Sequence, residues 1–510
     1  MKGRMISVLL AVMVLGSAFA GGSGEKKAEG AKAGGKTLEF SMLSTIWSPF
    51  DAEHTLLEEV MKATHTKVNM EWSPVQDFDT KVNTLLSSGK LPDVILGANP
   101  IPLLNQGAIV ALDEYLKKAA PNILAALKPA DYPFIRNVND GHIYSLSYAF
   151  DFPPVNSWMI RRDWLKKVNL NAPTNWDEWL AVWRAFRTRD PNGDGNPANE
   201  IPVTGEAWQL YEAFGIVASA DKNFATLPGG GYSLIYEHPN YRLYLETMAQ
   251  LYKEKLLDQE FATRVMAERY KMMDSNLGGS TLVAAEQAKL STLVLRKTNP
   301  DATCVCIAPP KGPKGDQLIP ARSKMNPRGV VTVAAEKAGK VEGIVSFFDW
   351  MYGEEGSRLM SYGVQGVHYD LSDGKPRLRA PYNESFVNAR KNGLVFTVFP
   401  ILWSRDSYMQ ILLMGKKYEE LDEPTKIFYD GLFLNEPYFA VVPPTLVTDA
   451  YSKYGADIIP ALKELQANAI AGRISVDQFY ASYEKLKGQG LQKIIDQASS
   501  AWKLVNAQSR

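Results

Sequence analysis

The sequence predicts an α/β protein in which a mostly parallel sheet is covered by helices on both faces. Three observations lead to this fold class: strand-like and helix-like segments alternate from residue 37 onward, a short apolar strand follows a turn at 89–93, and the carboxyl end is almost wholly helical. Alternation of this kind is typical of parallel sheets, whose ligand crevice lies at the carboxyl ends of the strands. The loops at 44–50 and 98–101 should then border that crevice.

The individual elements follow from the spacing of apolar residues, which alternates in strands and recurs every three to four residues in helices. In chain order we predict a strand at 37–43, a helix at 52–62, a strand at 67–72, a helix at 79–88, a buried strand at 94–97, a strand running into a helix at 157–165, a helix after 174, a strand at 330–334, a helix at 341–360 and a helical region at 449–506 broken at 471–474. No repeat of about 20 to 50 residues is visible, which excludes solenoids and propellers.

The helix after residue 174 carries two local signals. Thr174 and Asp177, three residues apart, match a capping-box pattern. Trp176, Trp179 and Trp183 fall on one helical face, which favours burial in a core over contact with a ligand.

Composition excludes several classes of function. The 510 residues are 45% hydrophobic and 22% charged, so the chain can bury a large core in about two to four domains. Its 56 basic residues balance 56 acidic ones, so no positive field attracts nucleic acid or anionic lipid. Cys304 and Cys306 share one face of a predicted strand, a spacing that favours inert core residues over a disulfide or a metal site.

The amino-terminal residues predict export. Residues 1–20 read as a signal peptide, with Lys2 and Arg4 before an apolar run and a small-residue cleavage pattern at 18–20. Residues 21–36 are rich in Gly, Ala and Lys and predict a flexible tether. Position 21 is Gly21, so the sequence offers no lipobox cysteine for a lipid anchor there. We expect a periplasmic or cell-surface protein.

Six stretches of the sequence resemble one known family. They are GKLPDVI at 89–95, IRRDWLKKVNLNAPTNWDEW at 160–179, DPNGDGNPANEIP at 190–202, FFDWMYGEEG at 347–356, YGVQGVHYDLSDGKP at 362–376 and AGRISVDQFYASYEKLKGQGL at 471–491. Together these stretches resemble the family 1 extracellular solute-binding proteins of ABC sugar importers, in particular the large oligosaccharide-binding members with a calcium loop.

The resemblance implies a two-lobe periplasmic-binding-protein fold with mixed sheets flanked by helices and a helical carboxyl terminus. Lobe 1 would contain 37–150 and 330–375, and lobe 2 would contain 151–329 and 376–510. Hinge segments would cross between the lobes near 150–157, 320–330 and 370–382. The resemblance also implies a monomer that captures an oligosaccharide in the cleft, closes on it and delivers it to a membrane permease of the ABC type.

Candidate ligand contacts are side chains at the predicted lobe edges. Sugar rings have an apolar face and a polar edge, so their sites combine aromatic platforms with carboxylates and amides. Ordinary core packing is the alternative explanation for each tryptophan. The candidates are Trp47, Tyr148, Asp151, Asn156, Trp208, Trp403, Arg405 and Asp406.

The loop at 190–200 has the composition of a structural calcium site. An EF-hand-like loop supplies oxygens at positions 1, 3, 5 and 7 and a turn glycine at position 6, and the sequence meets these requirements in order. Ile201 replaces the usual glutamate at position 12, so the end of the loop must differ from an EF-hand. A metal-free turn stabilised by its own side chains is the alternative. The predicted Ca²⁺ ligands are Asp190, Asn192, Asp194, Asn196, Asn199 and Glu200, with Gly195 at the turn.

A secreted, calcium-dependent polysaccharide-degrading enzyme is the alternative function. A glycosidase needs only two carboxylates about 5 to 10 Å apart, which a sequence with 56 acidic residues always allows. The five histidines lack zinc-site spacing and no Gly-x-Ser-x-Gly motif occurs, which disfavours zinc and serine hydrolases. An adhesin would show repeated β-sandwich spacing, which is absent. We therefore predict a binding protein that does no chemistry on its ligand.

Overall fold

The computed structural model describes residues 37–46, 56–150, 156–321, 325–384, 402–413 and 416–507. The chain divides into two units, Met1–Thr37 and Leu38–Arg510. The predicted signal peptide and tether at 1–36 lie outside the described residues. The second unit contains all the secondary structure given below.

The described residues contain sixteen strands and nineteen α-helices. The strands are β1 Leu38–Ile46, β2 Thr66–Pro74, β3 Val94–Leu96, β4 Leu146–Phe150, β5 Asn156–Arg161, β6 Ile201–Val203, β7 Phe224–Leu227, β8 Gly231–Leu234, β9 Gly278–Ala284, β10 Cys304–Ile307, β11 Ile319–Ala321, β12 Met325–Val331, β13 Tyr369–Ser372, β14 Lys375–Leu378, β15 Leu402–Trp403 and β16 Phe439–Val441. The helices are α1 Leu56–Thr64, α2 Phe78–Ser88, α3 Pro100–Asn105, α4 Asp113–Ala119, α5 Pro121–Ala126, α6 Tyr132–Ile135, α7 Arg162–Lys167, α8 Trp176–Thr188, α9 Tyr241–Lys253, α10 Met266–Asp274, α11 Glu286–Leu295, α12 Val333–Lys337, α13 Val341–Tyr352, α14 Glu354–Tyr362, α15 Arg405–Leu412, α16 Glu423–Leu434, α17 Asp449–Ile470, α18 Val476–Leu486 and α19 Gln492–Ala507.

Two main sheets organise the fold. The larger has six strands in the order β15-β4-β12-β3-β1-β2, and the smaller has four in the order β10-β5-β9-β6. In the larger sheet β1 runs parallel to β2 and β3, whereas β12 is antiparallel to β3 and β4. In the smaller sheet β5 is antiparallel to β9 and β10, and β6 is parallel to β9. The α/β class predicted from the alternating segments and the mixed sheets implied by the resemblance are confirmed. The expectation of a mostly parallel sheet is wrong for the smaller sheet, because β5 pairs antiparallel with both of its neighbours.

Each main sheet has its own hydrophobic core. The first core surrounds the six-stranded sheet and includes Phe40 on β1, Phe348 on α13 and Ile411 on α15. The second surrounds the four-stranded sheet and includes residues from β5 through the carboxyl-terminal helices, such as Trp158 and Ile494. A two-lobe protein requires two separate cores, because each lobe is stabilised by its own buried apolar residues.

The tryptophans predicted on one face of α8 belong to the second core. Trp179 and Trp183 are fully buried with ring centroids 5.1 Å apart, and Trp176 packs half-buried against Trp183 and Phe214. The start of this helix differs from prediction by one residue. Asn175 is the N-cap and accepts a hydrogen bond from the Glu178 backbone, while the Glu178 carboxylate accepts from the Thr174 backbone at 2.7 Å. Glu178 therefore takes the place that the capping-box pattern gave to Asp177, because its longer side chain reaches the Thr174 backbone N–H.

Three other predicted segments differ from the structure. The predicted strand at 330–334 ends at Val331, and α12 begins two residues later with Thr332 as its N-cap. The predicted helix at 341–360 is two helices, α13 and α14, separated at Gly353. The segment 370–382, predicted as a crossing, contains the hairpin β13–β14. Asp373 and Gly374 both have positive φ, 53° and 73°, which is the geometry of a tight Asp-Gly hairpin turn.

The chain passes between the two sheets at places that the structure brackets. β4 belongs to the six-stranded sheet and β5, which begins at Asn156, belongs to the four-stranded sheet. β11 pairs with β16 and contributes Ile319 to the second core, whereas β12 lies in the six-stranded sheet. These two passages fall at the predicted crossings near 150–157 and 320–330. The lobe boundaries themselves stay a prediction; β15 pairs with β4, and Leu378 packs in the first core, although both were assigned to lobe 2.

The two cysteines lie on β10, as the sequence predicts. Cys304 is buried and Cys306 is half-buried, and both are free thiols. Burial raises the pKa of Cys304 to about 12 and that of Cys306 to about 11, so both stay protonated and unreactive near neutral pH. In the described part of the chain, no helix has the length and apolar character needed to cross a membrane.

Candidate functional site

The carboxyl ends of four strands meet at one edge of the six-stranded sheet. Ser44 of β1 lies opposite Leu96, the last residue of β3, and Leu96 lies opposite Gly329 of the antiparallel β12. β12 begins at Met325, which lies opposite Ala149 near the end of β4, and Trp403 at the end of β15 lies opposite Phe150. Strands β1, β3, β4 and β15 therefore all end at the same edge, where open α/β sheets bind ligands.

One edge of the four-stranded sheet likewise contains the carboxyl ends of parallel strands. The parallel strands β6 and β9 end there, and Asn156, the first residue of the antiparallel β5, lies opposite Ala284 at the end of β9. The segment that follows β6 leads into a 3-10 helix, Ala207–Phe214, which carries Trp208. Asn156 therefore begins a strand, and Trp208 follows one, at the same edge of this sheet.

The two sheet edges adjoin because the chain connects them directly. Phe150 ends β4 at the first edge and Asn156 begins β5 at the second, six positions later, so at most about 22 Å of chain separates them. The side-chain amide of Asn156 also donates to the backbone oxygen of Pro320 at 2.8 Å, which ties the first passage to the second. The candidate site is the region between these edges.

Some of the predicted ligand contacts lie among the described residues and others do not. Trp47 and Asp151 lie outside the described residues. Tyr148 on β4 lies opposite Asn326, and Trp403 is the last residue of β15, so their backbones lie at the first edge. Their role in binding stays a prediction.

Arg405 and Asp406 begin helix α15 and are already engaged in contacts within the protein. Arg405 donates to the Glu436 carboxylate at 3.2 Å and its guanidinium lies 5.0 Å from the ring centre of Phe433. Asp406 accepts from the Tyr362 hydroxyl at 2.7 Å and from the Gln410 amide at 2.8 Å. These contacts position the helix beside β15.

Two residues that sequence reasoning missed connect α16 and the segment after it to β5. Asn435 is fully buried and donates to the Ser157 hydroxyl at 2.8 Å, next to Asn156. Glu436, the partner of Arg405, follows it directly. The chain therefore links Asn156, Asn435 and Arg405 into one neighbourhood, although 278 residues separate Ser157 from Asn435.

Trp208 is held beside the end of the four-stranded sheet by the residue that follows it. The amide oxygen of the buried Gln209 accepts from the Leu282 backbone and the Thr281 hydroxyl, both at 2.8 Å. Its amide nitrogen donates to the Thr204 backbone oxygen at 2.9 Å. Two cations face the half-buried Trp208 ring: Lys222 Nζ lies 4.3 Å and Arg269 Cζ 5.9 Å from the ring centre.

A buried carboxyl group lies one turn beyond Trp208. Glu212 is 2% exposed, and neither of its carboxyl oxygens has a hydrogen-bond partner among the described residues. Burial raises the pKa of Glu212 from 4.5 to about 7, against the opposing effect of the Lys222 charge. The protonation of this group therefore changes near neutral pH.

The predicted calcium loop folds as a series of Asx turns. Asp190 has a positive φ of 45°, and its two carboxylate oxygens accept from the backbones of Gly193 and Gly195, both at 3.0 Å. Asn192 and Asp194 each accept from the backbone two residues further on. The Asn199 amide donates to Asp194 at 2.5 Å and accepts from Asn192 at 3.0 Å, and Asn196 accepts from Ala198 at 3.3 Å. The six predicted ligand residues thus converge on one compact loop.

Glu200 at the end of this loop is a buried carboxylate without a partner. It is 2% exposed, and neither oxygen meets a hydrogen-bond donor among the described residues. Burial raises the pKa of Glu200, and the charges of Asp190 and Asp194 raise it further. Within the described ranges, no three His, Cys, Asp or Glu side chains are grouped closely enough to form a metal site. The oxygen-rich donor set is nevertheless of the hard kind that Ca²⁺ prefers.

The sequence profile of the bacterial extracellular solute-binding proteins matches residues 43–357 of this chain. The match covers more than half of the 510 residues. The chain therefore belongs to the bacterial extracellular solute-binding protein family. The predicted membership of this family is confirmed, and the chain is an exported protein of a family of binding proteins. The calcium loop of the predicted subgroup stays a prediction.

Two curated relatives give the similarity more detail. The chain is 33% identical to the fructooligosaccharide ABC transporter substrate-binding protein FusA of Streptococcus pneumoniae serotype 4 (strain ATCC BAA-334 / TIGR4) over 249 residues, 44% of this chain and 45% of FusA. This alignment spans less than half of FusA. The polygalacturonan/rhamnogalacturonan-binding protein YtcQ of Bacillus subtilis (strain 168) is 22% identical over 534 residues, 98% of this chain and 99% of YtcQ.

Solved structures confirm the two-lobe solute-binding fold. The crystal structure of the alginate-binding protein AlgQ2 without calcium ion matches with a TM-score of 0.67 at 26% identity, covering 92% of this chain and 98% of AlgQ2. FusA in complex with kestose matches with a TM-score of 0.65 at 22% identity, covering 92% and 100%. A FusA EF-hand mutant in complex with fructo-nystose matches with a TM-score of 0.63 at 21% identity over the same shares. The solute-binding prediction is thereby supported over the glycosidase.

Replacing Glu212 by glutamine should stabilise the protein at alkaline pH. The folded state holds the Glu212 proton more tightly than the unfolded chain does, because the pKa of the group is raised from 4.5 to about 7 on folding. Stability is therefore lost as the pH rises from about 4.5 through about 7, and the cost above that range is about 3 kcal/mol.

Thermal melts at about pH 5 and about pH 8.5 test this expectation. The Glu212→Gln variant should melt near the wild type at the lower pH and above it at the higher pH. The exposed Glu464→Gln variant is the control and should match the wild type at both. Equal shifts of Glu212→Gln at both pH values would contradict the titration of a buried carboxyl group.

Proposed function

We propose that this chain is the extracytoplasmic component of an ABC importer that captures an oligosaccharide between its two sheet edges and delivers it to a membrane permease. The observation that carries the proposal is the direct connection of the two edges by the passages at Phe150–Asn156 and Ala321–Met325. A ligand bound there touches both lobes. The protein acts in the periplasm or at the cell surface, as a monomer.

The chemical class of the ligand is supported by the relatives and by the residue types at the edges. FusA and YtcQ are named for fructooligosaccharides and for polygalacturonan or rhamnogalacturonan, and AlgQ2 is named for alginate. Aromatic residues and amides occur at both edges of this chain, at Tyr148, Trp403, Asn156 and Trp208. These are the side chains that the two faces of a sugar ring require.

Closure of the lobes would make binding visible to the permease. Because the lobes have separate cores, their mutual position depends on the crossing segments, on direct contacts such as that of α6 with α19, and on any ligand that touches both. A ligand stabilises the closed arrangement by the contacts that it makes only there. The permease then distinguishes the loaded protein from the empty one.

A structural Ca²⁺ ion is the second part of the proposal. The supporting observation is Glu200, whose buried, unpartnered carboxylate lies within the field of Asp190 and Asp194. The charges of Asp190 and Asp194 act unfavourably on an ionised Glu200, and a divalent cation would remove that cost. Asn192, Asn196 and Asn199 would supply amide oxygens. The term EF-hand in the name of the FusA mutant is consistent with such a site in a relative.

Calorimetry against a panel of oligosaccharides tests the main proposal. We expect binding of at least one oligosaccharide and no cleavage products on chromatography after prolonged incubation. Trp403→Ala should weaken that binding by about ten-fold, because a stacked aromatic residue contributes about 1 to 3 kcal/mol. Trp502→Leu, in the carboxyl-terminal helix α19, is the matched control. Cleaved products without stable binding would replace the binding protein by the glycosidase.

Chelation tests the calcium loop. A metal that binds only the folded state stabilises it by about 2.7 kcal/mol at a hundred-fold excess over Kd, so a chelator should lower the melting temperature of the wild type. The Asp190→Ala, Asp194→Ala double variant should not respond. Asp457→Ala, Glu464→Ala removes two exposed carboxylates of α17 and should respond like the wild type. A wild-type melt that ignores both chelator and added Ca²⁺ would remove the site and leave sugar binding unaffected.

A further inference from the structure

Charged side chains from separate segments converge around Trp208. Lys222 lies over the ring at 4.3 Å from its centre, and Arg269 on α10 lies at 5.9 Å. Glu206 and Glu212 flank Trp208 on its own segment. The sequence separates Trp208 from Arg269 by a hairpin and two helices, so only the fold brings this group together.

Most charges in the group are already paired. Arg269 Nη1 donates to Glu206 at 3.2 Å. Asp221 accepts from the Ser219 hydroxyl at 2.5 Å, the Asn223 amide at 2.7 Å and the Tyr451 hydroxyl at 3.2 Å. Lys222, in contrast, has no hydrogen bond or ion pair within 4.0 Å to any described residue. Its ammonium is therefore the cation of this group without a direct acceptor among the described residues, although the charges of Glu212, Asp221 and Glu206 act on it.

The group is held in place by close packing. Arg269 is 4% exposed, and its Nε has no hydrogen-bond partner among the described residues. Gly205 makes this position possible, since a Cβ there would lie 2.5 Å from Arg269 Cδ. Trp208 and Lys222 are half-buried, so part of each side chain stays accessible, and Lys222 lies before β7 of the two-stranded sheet β7–β8.

We propose that Lys222, lying on the face of Trp208, is a subsite for the carboxylate of a sugar, and that the ligands of this chain are acidic oligosaccharides containing uronic acid residues. The inference rests on the proposed function and specifies its substrate class. A partly desolvated ammonium without an acceptor gains a charge-assisted hydrogen bond from a carboxylate. A neutral sugar would leave the ammonium facing only hydroxyl groups.

Glu212 supplies a second readout. The groups whose charges act on Lys222 are Glu212, Asp221 and Glu206, and the charge that acts on Glu212 is Lys222. A sugar carboxylate at Lys222 competes with ionised Glu212 for the same cation and so favours its protonation. Affinity for the acidic sugar should therefore fall as the pH rises from about 6 to about 8.5, a range in which the sugar carboxylate stays ionised.

Titration calorimetry with matched ligands tests the proposal. The probes are oligogalacturonates and oligomannuronates of three to five residues, the methyl esters of the same chains, which carry no charge, and a neutral fructo-oligosaccharide. The wild type should bind an acid about ten-fold or more tightly than its ester. Lys222→Met should remove that difference by weakening the acid alone, Lys222→Arg should retain it, and the exposed Lys463→Met should behave as the wild type.

Each outcome of this titration supports or overturns the Lys222 subsite. A preference for an acid that depends on Lys222 and declines at higher pH supports the subsite. Equal binding of acid and ester, preference for the neutral sugar, or an acid preference that survives Lys222→Met overturns the subsite and leaves the proposed function in place. If no oligosaccharide of either class binds to the folded protein, both this inference and the proposed function fail.

Discussion

The chain segments that pass between the two sheets constrain the rest of the molecule. Phe150 and Asn156 are six residues apart, and Ala321 and Met325 are four apart, so the sheet edges that they join must adjoin. The strand directions then place the carboxyl ends of β1, β3, β4 and β15 at one edge and those of β6 and β9 at the other. The region between these neighbouring edges is the proposed binding region.

Separate cores allow this arrangement to move. Phe40 and Phe348 are buried with the six-stranded sheet, whereas Trp179 and Trp183 of α8 are buried with the four-stranded sheet. Within the second lobe, Arg161 and Asp163 form a fully buried ion pair at 2.6 Å, and Asp163 also accepts from the Thr303 backbone. Such packing makes deformation inside a lobe costly. The proposed closure would therefore take place in the crossing segments.

Local patterns in the sequence predicted the local structure well. The β-α-β opening and the buried face of α8 depend on residues close together in the chain, and the structure contains both. The turn-forming residues of the loop at 190–200 are also local, and Asp190 accepts from the backbones of Gly193 and Gly195 there. The predictions differed from the structure where neighbouring residues give similar capping or turn signals. Glu178 replaced Asp177 as the residue that reaches back to the helix start, and the Asp373–Gly374 turn formed a hairpin within a predicted crossing.

Long-range convergence could not be predicted from spacing. Lys222, Arg269 and Glu212 carry no motif, and nothing in the sequence indicates that they meet around Trp208. Asn435 follows a helix and carries no sequence signal either, but in the folded protein it donates to Ser157. Trp208 itself was a candidate because a tryptophan at a predicted lobe edge is a simple signal. Its cationic neighbours depend on β6, β7 and α10 being assembled around one sheet edge.

Small-angle X-ray scattering with and without a bound oligosaccharide tests the central claim most directly, because the claim is that one ligand touches both lobes across the adjoining edges. Calorimetry on the same sample must first establish that the ligand is bound at saturation. The account predicts a smaller radius of gyration and a shorter maximum dimension for the loaded protein. A saturated protein whose scattering curve is the same as that of the empty protein would contradict it.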